Sequence, residues 1–206
     1  MSRGDQNGFV PDGFIAENLM RLQLLQAAAD EDDLEALFLF CDMEKAFDRC
    51  SWEFLLEGLK ELGFGDDFIN FVKLMYSDGA NAVPTRQMYV NGHLGPHFPL
   101  GSGVAQGCSL SVGLFLVIVE PLTRMINNSR DIKGIKIKAH GKRTTKHKIS
   151  HYADDSILKL LLGDITAALD IMDMWQDATS MKENDTKREL LLLGSLRGHP
   201  ERLPSR

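Results

Sequence analysis

Asp42, Asp154 and Asp155 are the residues whose type and setting can do chemistry. Asp-Asp pairs also occur at positions 32–33 and 66–67, so the dipeptide alone says little. The first pair lies in an acidic stretch, and the second at a predicted helix start, where capping and the helix dipole favour Asp. The pair at 154–155 sits at a predicted hairpin tip, where adjacent anions repel unless a cation lies between or in front of them. Asp42 ends a predicted apolar strand in the same sheet and can lie beside that tip. An oxygen-only cluster of this kind suits Mg²⁺ or Mn²⁺. Two such ions ~4 Å apart would activate an attacking hydroxyl and stabilise a leaving pyrophosphate in an in-line phosphoryl transfer. Turn-forming Asp residues that satisfy local backbone groups have the same spacing, and spacing alone leaves both readings open.

These carboxylates need elements to hold them. Apolar spacing predicts a first helix from Phe14 to Ala29. Ala36-Leu37-Phe38-Leu39-Phe40-Cys41 has the length and composition of a buried strand. Ser51 can cap a helix carrying Trp52, Leu55, Leu56, Leu59 and Leu62, with Gly63 just past its end. Asp66 or Asp67 can cap another with Phe68, Ile69, Val72, Met75 and Tyr76 on one face. Asn91-Gly92 between Thr85–Val90 and His93–Phe98 is a hairpin signal. The glycine-rich stretch 100–107 opens into an apolar helix from about Ser109 to Asn127, which Pro121 is expected to bend. Strands follow at Ile135–Lys138, Lys146–Tyr152 and Ser156–Leu162. A helix capped by Asp164 then runs to about Thr179, and Leu190–Leu193 closes the sheet. The order implies an α+β fold of the split βαβ kind, an antiparallel sheet with helices on one face.

Composition bounds the rest. Two hundred and six residues with 44% apolar content are enough for one buried core. The net charge of −6 argues against a histone-like or polybasic membrane binder. The longest apolar run, Val112 to Val119, is far short of the ~20 residues that span a bilayer, and the polar start is no signal peptide. Cys41, Cys50 and Cys108 are an odd count without paired spacing, which fits reduced thiols. These features lead to the expectation of an intracellular protein, nuclear or cytoplasmic, that is not secreted.

Phe40-Cys41-Asp42-Met43-Glu44-Lys45-Ala46-Phe47-Asp48 resembles the first palm motif of reverse transcriptases from non-LTR (LINE-type) retrotransposons, D-x-x-K-A-F-D. Val104-Ala105-Gln106-Gly107-Cys108-Ser109-Leu110-Ser111 is similar to their second motif, and Tyr152-Ala153-Asp154-Asp155 to their Y-A-D-D box. Residues 179–187 resemble the fourth motif, G-L-K-x-N-x-x-K, and Gln6 to Asn18 a segment that precedes the palm. Any one box would be a weak match; five in the right order are specific.

The resemblance implies a polymerase palm over residues 36–194, a partial fingers segment over 1–35 and a tail over 195–206. It implies RNA-directed DNA synthesis with two Mg²⁺, on an RNA template and a DNA primer, from deoxynucleoside triphosphates. Asp42, Asp154 and Asp155 would bind the metals, joined by the backbone carbonyl of Met43. Phe47 would be a steric gate that leaves no room for a 2′-hydroxyl; its bland alternative is core packing. Gln106, Gly107 and Tyr152 would approach the nucleotide and template base. Lys187 would neutralise or protonate the leaving pyrophosphate, or else be a solvated lysine before a strand.

Departures from the pattern are Asp12-Gly13 for Gly-Arg, Ala105 for a basic residue, and Ser109 and Val112 for two prolines. The expectation is of a fragment of a retroelement open reading frame without the upstream fingers segment, thumb or endonuclease; an adjacent reading encoding them would mark it as a cut-out of a larger enzyme. A degenerate relic that only binds nucleic acid is the alternative. An RNA-templated RNA polymerase or nucleotide cyclase on a similar palm is disfavoured by Phe47.

Seven basic residues, Lys133, Lys136, Lys138, Lys142, Arg143, Lys146 and Lys148, lie between positions 133 and 148 with no acid among them. Such a strand-loop-strand suits a primer or template backbone, or else is a solvated hairpin guarding a sheet edge.

Overall fold

The apolar hexapeptide 36–41 forms β1 (Ala36–Cys41), buried at five of its six positions. A strand apolar on both faces needs cover on both, and β1 accordingly lies inside a four-stranded antiparallel sheet. The computed structural model describes residues 15–76, 84–137 and 145–204. In chain order these hold α1 (Ile15–Glu31), β1, α2 (Trp52–Glu61), α3 (Asp66–Tyr76), β2 (Thr85–Arg86), β3 (Tyr89–Val90), β4 (His93–Leu94) and β5 (Phe98–Pro99). They continue with α4 (Ser109–Asn128), β6 (Ile135–Ile137), β7 (Thr145–His147), β8 (Ile149–Tyr152), β9 (Asp155–Leu161), α5 (Ile165–Thr179) and β10 (Glu189–Leu193).

The main sheet runs β10-β1-β9-β8. Alternate residues of β1 serve two cores. Leu37, Leu39 and Cys41 join Leu158 and Leu160 in a core with α2 to α5, around Leu55, Val72, Phe115, Ile118 and Trp175. Ala36 and Phe38 face the other way, against Leu25 and Ala29 of α1 with Ile135 and Leu193. The expected helices on one face are present, and α1 lies over the opposite face.

Several local expectations hold for their stated reasons. Ser51 accepts the N–H of Phe54 at 3.3 Å. Asn91 and Gly92 both have positive φ, +50° and +83°, as a type I′ turn between β3 and β4 requires.

Others need correction. The strand expected over Lys146–Tyr152 is two: β7 pairs with β6, and β8 pairs with β9 in the main sheet. Asp164 does not cap α5. Its buried carboxylate accepts backbone N–H groups from Lys133 (3.0 Å), Gly134 (2.8 Å) and Leu161 (3.0 Å), pinning the start of β6 to the end of β9. A carboxylate withdrawn from water needs such donors. Pro121 sits inside α4, which runs on through it to Asn128. α4 is also long and apolar enough to cross a membrane by length and composition, which the short run Val112–Val119 did not suggest; it packs here as a core helix.

Candidate active site

The β1–β9 register sets Cys41 opposite Ser156, so one further step places Asp42 across from Asp155. Tyr152 pairs with Asp155 and closes β8 and β9 over the two-residue turn Ala153-Asp154. Ala153 takes a φ of +59°, a left-handed conformation that costs an L-residue roughly 1–2 kcal/mol. Asp42, Tyr152, Asp155 and Lys187 line one cavity of about 530 Å³, whose other wall is apolar, with Leu19, Leu22, Phe40 and Ile157. Asp154 lies outside that lining, yet its charge reaches Asp155. Burial first, then the negative charges of Asp154 and Asp42, push the Asp155 carboxyl up, and Lys187 opposes them.

Asp42 and Asp154 both act on Asp155 by charge, and such a concentration of carboxylate oxygens is the kind of setting that a hard divalent cation relieves. Among the described residues, no three acidic, His or Cys side chains close on a single point as they stand. Asp42 instead receives Lys187, Nζ to Oδ2, at 3.0 Å. The residues fit a metal by their chemistry and shared neighbourhood.

The chain around Met43 follows from a short ladder. Glu44 N–H donates to the Lys182 carbonyl and Asn184 N–H to the Asp42 carbonyl, both at 2.8 Å, bracketing an antiparallel bridge between Met43 and Glu183. In this arrangement the bracketed residue's own N–H and C=O point away from the partner strand. The Met43 carbonyl therefore points away from Glu183.

A second cavity, about 560 Å³, brings together Phe47, Ala105, Gln106, Gly107 and Cys108. The loop 102–104 is tied down on the turn after β1. Val104 N–H donates to the Phe47 carbonyl at 2.7 Å, Gly103 N–H to the Cys50 carbonyl at 2.9 Å, and the Ser102 hydroxyl to the Asp48 carbonyl at 2.8 Å. Gly103 is required there: at φ +95°, an added Cβ would meet the Asp48 carbonyl at 2.8 Å. The Phe47 ring stacks on Phe115, centroids 4.9 Å apart, and still lines the cavity, so one side chain both packs into the core and faces the open space. Gln106 donates weakly to Asp48 Oδ1 at 3.5 Å.

The basic stretch divides. Lys133, Lys136 and Lys146 are exposed, with Lys136 opposite Lys146 across β6 and β7. Lys138, Lys142 and Arg143 lie outside the described residues. Lys148 is a correction: it is buried, and its ammonium donates to the carbonyls of Ile126 (3.3 Å), Asn127 (2.9 Å) and Ser129 (2.7 Å). All three protons are spent on the C-terminal carbonyls of α4, leaving none for a phosphate. Burial first, with the charge of Lys146, pushes its pKa down. Lys148→Met is expected to cost about 2 kcal/mol of stability, the scale of lost charge-assisted hydrogen bonds. The salt slope of nucleic-acid binding should stay unchanged; a phosphate contact would lower it by about one. Urea unfolding and binding at several salt concentrations measure both.

Sequence reasoning missed three residues. Glu183 is buried and holds Arg188 in a two-pronged ion pair, Nε to Oε1 at 2.8 Å and Nη2 to Oε2 at 2.6 Å. His151 is buried beneath the Asp154 turn. The alternation of β8 that exposes Tyr152 was the available signal for His151.

An antiparallel sheet backed by helices, with acidic residues at the ends of two adjacent central strands, is the arrangement of a polymerase palm. The chain belongs to the reverse transcriptase (RNA-dependent DNA polymerase) family, which matches residues 3–195. It is 32% identical over 194 residues to the transposon TX1 uncharacterized 149 kDa protein of Xenopus laevis, covering 94% of this chain and 14% of that protein. The telomerase of Candida tropicalis in complex with a TWJ fragment of telomeric RNA is similar in fold, with a TM-score of 0.62 at 13% identity, over 95% of this chain and 30% of that one. The apo telomerase of the same organism, truncated from its C-terminal domain, gives 0.55 at 16% identity over 91% of this chain and 36% of that one. Reverse transcriptases use divalent metal ions, in keeping with the donor set here.

Proposed function

We propose that this chain is the palm, residues 36–194, of an intracellular retrotransposon enzyme that copies an RNA template into DNA. The observation that carries the proposal is the placement of Asp42 and Asp155 across one strand pair, with Lys187 in the same cavity. Asp42, Asp154, Asp155 and the Met43 carbonyl would hold two Mg²⁺, with Mn²⁺ as a substitute. When bound, the ions would lower the pKa of the primer 3′-hydroxyl and offset charge on the leaving pyrophosphate.

The remaining work falls to the chain's own groups. Lys187, whose ammonium sits on Asp42 in the same cavity, would neutralise or protonate the leaving pyrophosphate. Gln106 and Gly107 form one wall of the deoxynucleoside triphosphate site, and Gly107, at φ +81°, lets backbone approach closely. Tyr152, exposed at the hairpin tip, faces the primer end. Lys133, Lys136 and Lys146, with Lys138, Lys142 and Arg143, would meet the nucleic-acid backbone. Lys133 and Lys146 lie beside Asn127 and Ser129 at the C-terminal end of α4, while the Gln106 loop is at its start; the helix's 20 residues span ~30 Å. That separation suits contact with a duplex some way from the reacting end.

Phe47 gives the reading a direct test. Its ring is fixed by Phe115 and forms part of the wall beside Gln106. Phe47→Val removes that wall, so ribonucleotide incorporation relative to deoxynucleotide should rise by roughly 10- to 100-fold. Single-nucleotide primer extension with paired dNTP and rNTP titrations reads the ratio. An unchanged ratio removes Phe47 from the sugar site.

A further inference from the structure

Lys187 does not reach Asp42 on a free tether. The segment 182–188 leaves the bridge at Met43 and Glu183, makes one tight turn over Asp185–Lys187, and returns to the sheet as β10. Both ends of that turn are fastened. At its start, Asn184 N–H donates to the Asp42 carbonyl, and Glu183 N–H donates to Gln176 Oε1 at 2.6 Å. At its end, Arg188 returns to Glu183 through two parallel hydrogen bonds and also meets Asp185 at 3.3 Å. The Glu183 side chain is 1% exposed, so its partner is fixed in direction as well as charge. Between these anchors, Lys187 projects its ammonium onto Asp42 Oδ2 at 3.0 Å. Glu183 and Arg188 occupy positions outside the motif letters that identified the segment.

We propose that the pair of buried Glu183 with Arg188 is a positioning device that holds Lys187 against Asp42, so that the lysine and a divalent cation compete for the same carboxylate. The inference rests on the metal-site reading above. Its consequence is that the cation site carries a built-in competitor: a metal ion on Asp42 would have to displace the Lys187 ammonium.

Mn²⁺ binding to the full chain, followed by electron paramagnetic resonance of the free ion, tests this without any catalytic turnover. Lys187→Met should tighten Mn²⁺ by roughly two- to five-fold, the equivalent of one partly exposed ion pair. Lys182→Met, which removes a lysine of the same segment that faces Glu44, should change it far less. Glu183→Gln with Arg188→Met removes the clamp without net charge change and without stranding a buried carboxylate. It should tighten Mn²⁺ as Lys187→Met does, and adding Lys187→Met to it should give little more, because both act through one contact. Additive effects, or an unchanged affinity in the clamp variant, overturn the positioning role while leaving the metal site in place. Should the wild-type chain bind no Mn²⁺ that Asp42→Asn removes, the metal-site reading fails, and the competition with it.

Discussion

Asp154→Asn is expected to abolish Mg²⁺-dependent primer extension by this chain. Asp154 and Asp155 stand side by side at the tip of the β8–β9 hairpin, and the charge of Asp154 is already felt at Asp155. The transition state of nucleotidyl transfer gathers negative charge, and metal-ion stabilisation of it is worth several kcal/mol. At about 1.4 kcal/mol per decade, loss of one ligand of the proposed metal site would lower the rate by roughly 10³-fold or more. Folding should not suffer, because the change removes like-charge repulsion between Asp154 and Asp155 at a half-buried turn; the unfolding midpoint should hold or rise.

The activity against which the loss is read will itself be small. Affinity for a duplex falls with salt in proportion to the phosphate contacts made. The net charge of −6 opposes association, and Lys148 is already spent on α4. The 206-residue chain is therefore expected to add a few nucleotides to a preformed primer-template at low salt. Denaturing gels of a labelled primer would show this. A variant retaining more than a tenth of the rate would remove Asp154 from the metal site. Processive synthesis at physiological salt would show that this chain grips a duplex without further domains.

How far the site could be read from sequence depended on whether a local signal existed. Asp42 was legible because an unbroken apolar run must be a buried strand and Asp42 ends it; the hairpin tip was legible because polar turn residues separate two apolar segments. The type I′ turn at Asn91-Gly92 and the Ser51 cap were local decisions and came out as read. Asp164 also has the look of a cap, but the residues leading into β6 deliver two N–H groups from about thirty residues upstream, and a buried carboxylate goes where the donors are. Lys148 reads as one of seven cations in a run, and only the tertiary position of the α4 C-terminus turns it inward. Glu183 and Arg188 are five apart around a tight turn, a spacing that no helix or strand period marks. The motif letters pointed to Lys187, whereas what aims it is set by three-dimensional packing.

The largest pH effect on stability should come from His151. Its ring is fully enclosed between α4 and the sheet, with Nδ1 2.7 Å from the Ser156 hydroxyl and Nε2 3.0 Å from the Thr123 hydroxyl. A neutral imidazole offers one donor and one acceptor, and two rotatable hydroxyls satisfy both. Burial first, and the positive charge of Lys159 second, push its pKa down to about 3. In the unfolded chain the same group titrates near ~6.5. Between those values the unfolded state binds a proton that the folded state refuses. Stability is therefore full above the unfolded value and falls by about 1.4 kcal/mol for each pH unit below it, levelling only near the folded value. From pH 6.5 to 5 this one residue should cost about 2 kcal/mol. His151→Gln keeps a donor and an acceptor but does not titrate, so it should lower stability at neutral pH and flatten the acid limb. Urea unfolding of both proteins at half-unit steps compares the slopes. Parallel curves over that interval would mean that the imidazole takes up its proton without leaving the fold. Converging curves would tie the acid sensitivity of the sheet beneath Asp154 to a single buried ring.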